Sequence, residues 1–361
     1  MANFKAQISG LGQDINSMLV FCSQNDCSDL FVKVGEQAQI YRYGVMYQTG
    51  RVTDQIAWNT FAKLAITSEE NASYVREKML DLSYQIGEYR YRVNCGFSTG
   101  QNIATFRMIS ARLPSFSSLR LDTNVVSLLS EAFSKRQGVT LLVGPTGSGK
   151  TSTLAACINS FSQGYGSKRD KPLSDSNLIT LEDPIEYLYR TLPNFRVTQK
   201  ELGRDFMSYE LGIKSALREH PTHILVGETR DKETIRSLVE ASRTGHACIS
   251  TFHTSSVSDT ISRLSSYLVA ENRDILFDLI ANLNFVLCQR LDRNRTGTSY
   301  ILSYEYMFFD EVVKKTLAKA VYADHNVART VDAIIMDESL VKRGRCHSWQ
   351  ANDVRKAVRD N

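Results

Sequence analysis

The sequence lacks several features that would each assign it to a class of protein. No apolar run approaches the roughly 20 residues of a membrane-spanning helix, and the polar N-terminal stretch does not resemble a secretion signal. The seven cysteines never occur as C-x-x-C, so we expect reduced, buried thiols rather than disulfides or a structural zinc site. Because 43 basic residues nearly balance 39 acidic ones, no nucleic-acid surface is indicated. These absences predict a cytoplasmic protein that has no transmembrane segment and does not bind nucleic acid directly.

The first third of the sequence has the pattern of a small α+β domain. A length of 361 residues favours two domains over one. Residues 28–52 alternate short β-like runs with glycine-containing turns, and residues 68–80 have a helical pattern with Ser68 as the candidate N-cap. The stretch that follows alternates strictly, so Tyr91 and Val93 share one strand face and Arg90 and Arg92 share the other. We assign residues 1–112 to this domain.

The pattern changes after a polar stretch, residues 113–123, which we interpret as a linker. From residue 124 to residue 361, short apolar strands alternate with segments of helix length. Strands and helices in alternation predict an α/β domain with a parallel sheet that is covered on both faces. The sequence after Leu291 carries no motif that we can interpret. We expect residues 342–349 to form a solvated surface turn, and a contact with a partner is the alternative.

A glycine-rich phosphate loop, residues 144–151, lies between a predicted strand and a predicted helix. Its sequence GPTGSGKT matches G-x-x-x-x-G-K-[ST], whose backbone N–H groups and helix N-terminus bind phosphate oxygens. Lys150 can reach the β- and γ-phosphates, and the Thr151 hydroxyl can ligate Mg²⁺. The predicted nucleotide-binding residues are Gly144, Pro145, Thr146, Gly147, Ser148, Gly149, Lys150, Thr151 and Ser152.

Acidic residues follow two further predicted strands. Glu182 ends the strand in LITLED, and Glu228 follows HILVG, where Gly227 stands at the position that usually carries a magnesium-binding aspartate. Because the carboxyl ends of parallel strands meet at one edge of a sheet, both carboxylates should face the phosphate loop. Glu182 is a candidate Mg²⁺ ligand, and Glu228 is a candidate for polarising the attacking water. A solvated acidic turn is the alternative for residues 182–183.

Two histidines flank a strand of small and apolar residues. His246 precedes it and His253 follows it, and we predict that both sense or tune the site. Packed or capping histidines are the alternative. Neither is a good zinc ligand, because no cysteine or third histidine lies at ligand spacing.

These four motifs, in this order, resemble those of the secretion-superfamily ATPases, which power type II and type IV secretion, conjugation and pilus dynamics. GPTGSGKT resembles the Walker A box of that family, and ITLEDPIEY resembles its Asp box. ALREHPTHILVGETRD resembles its atypical Walker B box with glycine in place of aspartate, and TGHACISTFHTSS resembles its His box. The resemblance implies a RecA-like P-loop ATPase domain preceded by a PAS-like domain. It also implies that Arg90, Arg92 and Arg107 reach the nucleotide phosphates, although solvated strand-face charges are the alternative for them.

The resemblance implies a hexameric ATPase that uses ATP and Mg²⁺. The layout is most similar to DotB-type ATPases of type IVB secretion and their TraJ-type relatives in plasmid conjugation. The expected partners are five further copies of the chain and inner-membrane and cytoplasmic components of a secretion or conjugation machine, to which it would be recruited peripherally. Three alternatives remain: a type IV pilus retraction motor, a DNA-translocating RecA-like motor, and a scaffold that binds ATP without hydrolysing it.

Overall fold

The chain divides into two compact units, which are described separately. The computed structural model describes residues 8, 11–43, 45–87, 89–109, 113–163, 176–269, 273–293, 300–323 and 327–347. The first unit comprises Met1–Arg112 with Pro184–Leu188, and the second comprises Leu113–Asp183 with Tyr189–Asn361. Residues 113–123, interpreted above as a linker, therefore belong to the second unit. Within the described ranges, no helix has both the length and the apolar content to cross a bilayer.

The first unit is an antiparallel sheet with helices, which confirms the α+β prediction. Its helices are α1 (Ile15–Gln24), α2 (Gln55–Ala65) and α3 (Ser68–Glu77), and its strands are β1 (Asp29–Lys33), β2 (Gln37–Arg42), β3 (Val45–Val52), β4 (Met79–Ile86), β5 (Tyr89–Ser98) and β6 (Gln101–Ile109). The six strands follow the order β3-β2-β1-β6-β5-β4. Along β5, Tyr91, Val93 and Cys95 are buried while Arg92 and Asn94 are exposed, as their alternation predicts.

The helix predicted over residues 68–80 is shorter and capped differently than expected. Thr67 is its N-cap, not Ser68, because Thr67 and Glu70 form a capping box in which each side chain accepts the other's backbone N–H. Lys78 ends the helix in the left-handed conformation, with φ at 62°. Met79 and the residues after it pair with β5 as strand β4.

The second unit is an α/β sheet, as predicted, with two additional antiparallel strands. Its helices are α4 (Thr123–Ser134), α5 (Lys150–Ser162), α6 (Tyr209–Ala216), α7 (Lys232–Arg243), α8 (Val257–Val269), α9 (Arg273–Asn282), α10 (Glu311–Tyr322), α11 (Val327–Ile335) and α12 (Glu338–Lys342). Its strands are β7 (Gly138–Val143), β8 (Ser176–Glu182), β9 (Phe195–Glu201), β10 (His223–Val226), β11 (Ala247–Phe252), β12 (Leu283–Arg293), β13 (Tyr300–Phe308) and β14 (Cys346–His347).

The sheet of the second unit follows the order β14-β13-β12-β7-β11-β10-β8-β9. Neighbours from β12 to β9 pair in parallel, whereas β13 and β14 pair antiparallel. Every residue of β7, β10 and β11 is buried, because helices cover both faces of this part of the sheet. The carboxyl ends of β7, β8, β10 and β11 consequently meet at one edge, here called the carboxyl edge.

The prediction of a solvated turn at residues 342–349 is wrong for its central part. Cys346 is 2% exposed and pairs with Met307 as part of β14. Arg345 forms an ion pair with Glu131 of α4 at 2.9 Å. Burial of the thiol and pairing with β13 therefore fix a segment whose charged residues alone predicted solvent exposure. Residues 348 and 349 lie outside the described residues.

Candidate functional site

Four parallel strands deliver the predicted site residues to the carboxyl edge of the second unit. The phosphate loop follows β7, Glu182 ends β8, Glu228 lies two residues after β10, and His253 comes directly after β11. Gly144 in the loop also donates its N–H to the Phe252 carbonyl at 3.2 Å, which ties the loop to β11. The structure thus brings three of the four motifs together through their strands, and the fourth contributes only one of its two histidines.

The conformation of the phosphate loop depends on its glycines. Gly147 and Gly149 have φ values of 77° and 88°, in the region that L-residues rarely adopt. A Cβ on Gly144 would lie 2.2 Å from the Gln289 carbonyl oxygen and 2.6 Å from Ser148 Oγ, so no larger residue fits there. Helix α5 begins directly after Gly149, and no side chain of the described chain caps it. Its first N–H groups therefore point towards the loop and are suited to an anion.

Lys150 lies over the loop and is 7% exposed. Its Nζ donates to the carbonyl oxygens of Gly144 at 2.7 Å and Pro145 at 3.0 Å. Phosphate oxygens would compete well for this ammonium group, because hydrogen bonds between two charged groups are stronger than those to neutral carbonyls. The glycine cradle, the helix N-terminus and the buried ammonium group together fit a nucleotide phosphate chain.

Glu228 is the centre of a charged cluster at the same edge. His253 Nε2 lies 2.9 Å from Glu228 Oε1, and Arg230 Nη2 lies 2.5 Å from Glu228 Oε2. Arg230 Nη1 also lies 4.0 Å from Asp183 Oδ2, so it connects the segments that follow β8 and β10. Sequence reasoning missed Arg230, although its place two residues after Glu228 in the same motif could have identified it.

The pKa values of Glu228 and His253 are both lowered, for different reasons. Burial alone would raise the pKa of Glu228, but the hydrogen bond from Arg230 and the charges of Arg230 and Lys150 outweigh burial. Burial lowers the pKa of His253 below its ordinary value of 6.5, and Lys150 lowers it further against the attraction of Glu228. At neutral pH the edge therefore presents a carboxylate beside a neutral imidazole.

Glu182 is 6% exposed and is positioned by two neighbours. Its Oε1 accepts hydrogen bonds from Thr180 Oγ1 at 2.6 Å and from Gln199 Nε2 at 3.0 Å. Across the described ranges, no group of three or more His, Cys, Asp or Glu residues could bind a metal ion. One carboxylate and the Thr151 hydroxyl still fit Mg²⁺, which keeps several waters and binds mainly through one or two carboxylates and substrate phosphates.

The neighbouring backbone leaves little space for a side chain at position 227, which explains the glycine there. A Cβ there would lie 3.1 Å from the Leu181 carbonyl oxygen and 3.2 Å from Glu182 Cα, closer than nearly all such contacts. Glycine thus lets the ends of β8 and β10 approach each other, and its N–H donates to the Leu181 carbonyl at 2.7 Å. An aspartate at this position would push against the backbone that carries Glu182.

His246 does not lie with the other predicted site residues. It precedes β11 at the opposite edge of the sheet, where its Nδ1 lies 3.2 Å from the Ala241 carbonyl oxygen and 3.2 Å from Thr244 Oγ1. Its neighbours are those of a residue that packs the turn between α7 and β11. A role for His246 in the site gains no support from these contacts and stays a prediction.

Arg90, Arg92 and Arg107 lie in the first unit and share one face of its sheet. Arg92 pairs directly with Arg107 across β5 and β6, and Arg90 lies two residues from Arg92. Arg107 Nε is 2.9 Å from Asp29 Oδ1, and Arg90 Nη2 donates to Ser83 Oγ at 2.7 Å. Their clustering agrees with the alternation seen in the sequence, and their role towards a nucleotide stays a prediction.

Comparisons with known proteins give a consistent family. The family model described as "Type II/IV secretion system protein" matches residues 6–337. The twitching motility protein of Neisseria gonorrhoeae is 31% identical over 247 residues, which cover 68% of this chain and 62% of that protein. The chain thus spans less than two thirds of the length of that curated relative.

Two solved structures are similar over nearly the whole chain. The ATPase DotB of Legionella pneumophila is 25% identical with a TM-score of 0.75, and the match covers 95% of each chain. The pilus retraction motor PilT with bound ADP is also 25% identical, with a TM-score of 0.77, and the match covers 94% of this chain and 96% of that one.

Proposed function

The chain belongs to the type II/IV secretion system protein family, and from this membership and the geometry of the carboxyl edge we propose that it hydrolyses ATP to ADP and phosphate. The observation that carries the proposal is the Glu228 carboxylate at the carboxyl edge, which accepts a hydrogen bond from Arg230 and lies 2.9 Å from His253 Nε2. We further propose that the chain works as a hexamer that powers a type IVB secretion or conjugative transfer apparatus. The likeness to DotB supports this choice of system.

In the proposed hydrolysis, each residue of the carboxyl edge has its own role. The α5 N-terminus and the loop N–H groups bind the phosphate chain, and Lys150 turns from the Gly144 and Pro145 carbonyls to the phosphate oxygens. Glu228 is ionised and accepts a hydrogen bond from the attacking water, which it thereby orients. His253 fixes the Glu228 carboxylate relative to the loop. Thr151 and Glu182 would hold Mg²⁺, which would supply positive charge to the phosphate oxygens.

Positioning and charge stabilisation account for most of the acceleration in phosphoryl transfer, so a metal site without a dedicated aspartate is sufficient. Glu182 ends β8 and Glu228 follows β10. Gly227 allows the ends of these two strands to approach each other closely. Two carboxylates with separate roles also argue against a scaffold that binds ATP without hydrolysing it.

Steady-state hydrolysis of ATP in the presence of Mg²⁺ tests this function. We expect the wild-type chain to release phosphate and Lys150→Ala to show no activity above background. The control is Lys214→Ala, which removes an exposed lysine that pairs with Glu210 on α6 and should keep wild-type turnover. Equal activity in the wild type and Lys150→Ala, after removal of contaminating ATPases, would contradict the proposed site.

A type IV pilus retraction motor is the second candidate, and the likeness to PilT supports it. Both candidates require the same ATPase site and differ in the machine on which the motor acts. Expression in a strain that lacks its own retraction ATPase separates them. Restored twitching that depends on Lys150 would favour the pilus motor, whereas absence of twitching together with rescue of a secretion or conjugation mutant would favour the first candidate.

A further inference from the structure

Gln289 lies behind the phosphate loop and ties β12 to α5. It comes directly after the last residue pair between β12 and β7, in which Cys288 lies opposite Val143. Its side chain is 0% exposed, and its Nε2 donates to Thr153 Oγ1 at 2.9 Å. Thr153 in turn donates its N–H to the Gly149 carbonyl, which belongs to the loop. Gln289 therefore contacts the first turn of the helix that follows the loop.

The backbone of Gln289 also sets the shape of the loop. Its carbonyl oxygen occupies the space that a Cβ on Gly144 would need, at 2.2 Å, and Ser148 Oγ borders the same point at 2.6 Å. Leu291, two residues further along β12, lies 3.7 Å from the Cβ position of Gly149. One strand thus touches both ends of the loop, although the sequence of that strand carries no recognised nucleotide-binding motif.

Two buried polar atoms, one in the loop and one behind it, have no hydrogen-bond partner within the described part of the chain. They are Ser148 Oγ and Gln289 Oε1. Ser148 is 2% exposed, so solvent does not satisfy its hydroxyl. A hydroxyl can donate and an amide oxygen can accept, so the two atoms are complementary. Unpaired buried polar groups cost free energy, which a rearrangement that pairs them would recover.

We propose that Gln289 is a positioning residue of the phosphate loop, and that its amide oxygen accepts a hydrogen bond from the Ser148 hydroxyl when a nucleoside triphosphate binds. This inference rests on the proposed function. Lys150 bonds the carbonyls of Gly144 and Pro145 in this structure, and phosphate oxygens would draw its ammonium group away from them. The released loop then turns Ser148 towards Gln289, which fixes the loop against Thr153 and α5.

The substitution Ser148→Ala tests the pairing, because it should stabilise the chain without nucleotide and weaken nucleotide binding. Without nucleotide, removing an unpaired buried hydroxyl should raise the melting temperature by about 2–4 °C. With nucleotide, losing the new hydrogen bond should weaken binding of the non-hydrolysable analogue AMP-PNP, measured by calorimetry with Mg²⁺, by about five- to tenfold. The matched control is Ser162→Ala at the other end of α5, where the hydroxyl already donates to the Asn159 carbonyl and should not affect AMP-PNP binding.

A double-mutant cycle with Gln289→Met identifies the partner. If Ser148 donates to Gln289, the loss of AMP-PNP affinity in the double variant should be smaller than the product of the two single losses. Unchanged affinity in Ser148→Ala, a lowered melting temperature in that variant, or independent effects in the cycle would each overturn the proposal. If Gln289→Met does not fold, the two Ser148→Ala readouts decide alone.

The proposed function and this inference fail in different ways. Failure of the wild type to bind AMP-PNP would remove the nucleotide site and this inference with it. Tight binding by the wild type and equally tight binding by Ser148→Ala would leave the nucleotide site intact and remove only the role of Gln289.

Discussion

The two ends of β11 carry the two histidines of one motif, and the two ends differ in chemistry. His253 follows the strand at the carboxyl edge, where its Nε2 lies 2.9 Å from Glu228 Oε1. His246 precedes the strand and contacts a backbone carbonyl and a threonine. The six residues of β11 separate the two edges by about 20 Å. Proximity in sequence therefore does not imply a shared site when the intervening residues are extended.

A histidine pKa is lowered at each edge, and burial is the largest cause at both. At the amino edge, burial lowers the pKa of His223 to about 4, and its Nε2 lies 3.0 Å from the Phe133 carbonyl oxygen. At the carboxyl edge, burial also lowers the pKa of His253, and Lys150 lowers it further. A lowered histidine pKa therefore does not by itself distinguish packing from a functional site. The cluster, and not the shift alone, identifies the candidate site.

The largest expected effect comes from removing the charge of the carboxylate at the centre of the cluster. Glu228→Gln keeps the shape of the side chain, so ATP binding should persist. Hydrolysis should fall by at least about a hundredfold, because a general base typically contributes that much or more. Binding by calorimetry and phosphate release in a single turnover measure the two effects. Glu233→Gln, on the exposed surface of α7, is the control and should hydrolyse ATP normally; normal turnover in Glu228→Gln would remove this residue from the mechanism.

The two histidines should differ when each is replaced. His253→Ala removes the imidazole that lies 2.9 Å from the ionised Glu228 carboxylate, so kcat should fall about ten- to a hundredfold. His246→Ala removes contacts at the other edge and should change kcat by less than about threefold. Steady-state hydrolysis and melting temperatures measured on both variants separate catalysis from folding. Equal losses of kcat in two stably folded variants would show that His246 acts on the site by another route.

The smallest expected effect is on the acid limb of the profile of kcat/KM against pH. The pKa of His253 lies below its ordinary value of 6.5 and that of Glu228 is also lowered, so both keep their working protonation states at neutral pH. Protonation of His253 would place a second charge beside Lys150. The stability and activity that depend on neutral His253 are therefore retained above pH 6.5 and lost as pH falls through its lowered pKa.

A profile of kcat/KM between pH 5 and pH 8 checks this expectation. The acid limb of the wild type should lie below pH 6.5, and in His253→Asn it should move lower still, since only Glu228 then titrates. A wild-type acid limb above pH 6.5 would mean that the protonated form of His253 is the active one, which would contradict this expectation.

The sequence predicted the fold class and the gathering of the phosphate loop, Glu182, Glu228 and His253 for one physical reason. Each follows an apolar strand, and parallel strands bring their carboxyl ends to one edge. Contacts that depend on register and packing were not predictable in this way. The contact of Gln289 with Thr153 of α5 and that of Arg230 with Asp183 after β8 join residues far apart in the sequence. The strand β14 has only two residues, Cys346 and His347, which is too short for a recognisable pattern.

The most direct test of the central claim is a structure of the chain with Mg²⁺ and a non-hydrolysable ATP analogue. We expect the phosphate chain to lie in residues 144–151, with Lys150 Nζ moved from the Gly144 and Pro145 carbonyls to phosphate oxygens and with Glu228 facing the γ-phosphate. A nucleotide bound elsewhere, or Lys150 still bonded to the two carbonyls beside a bound nucleotide, would contradict the account.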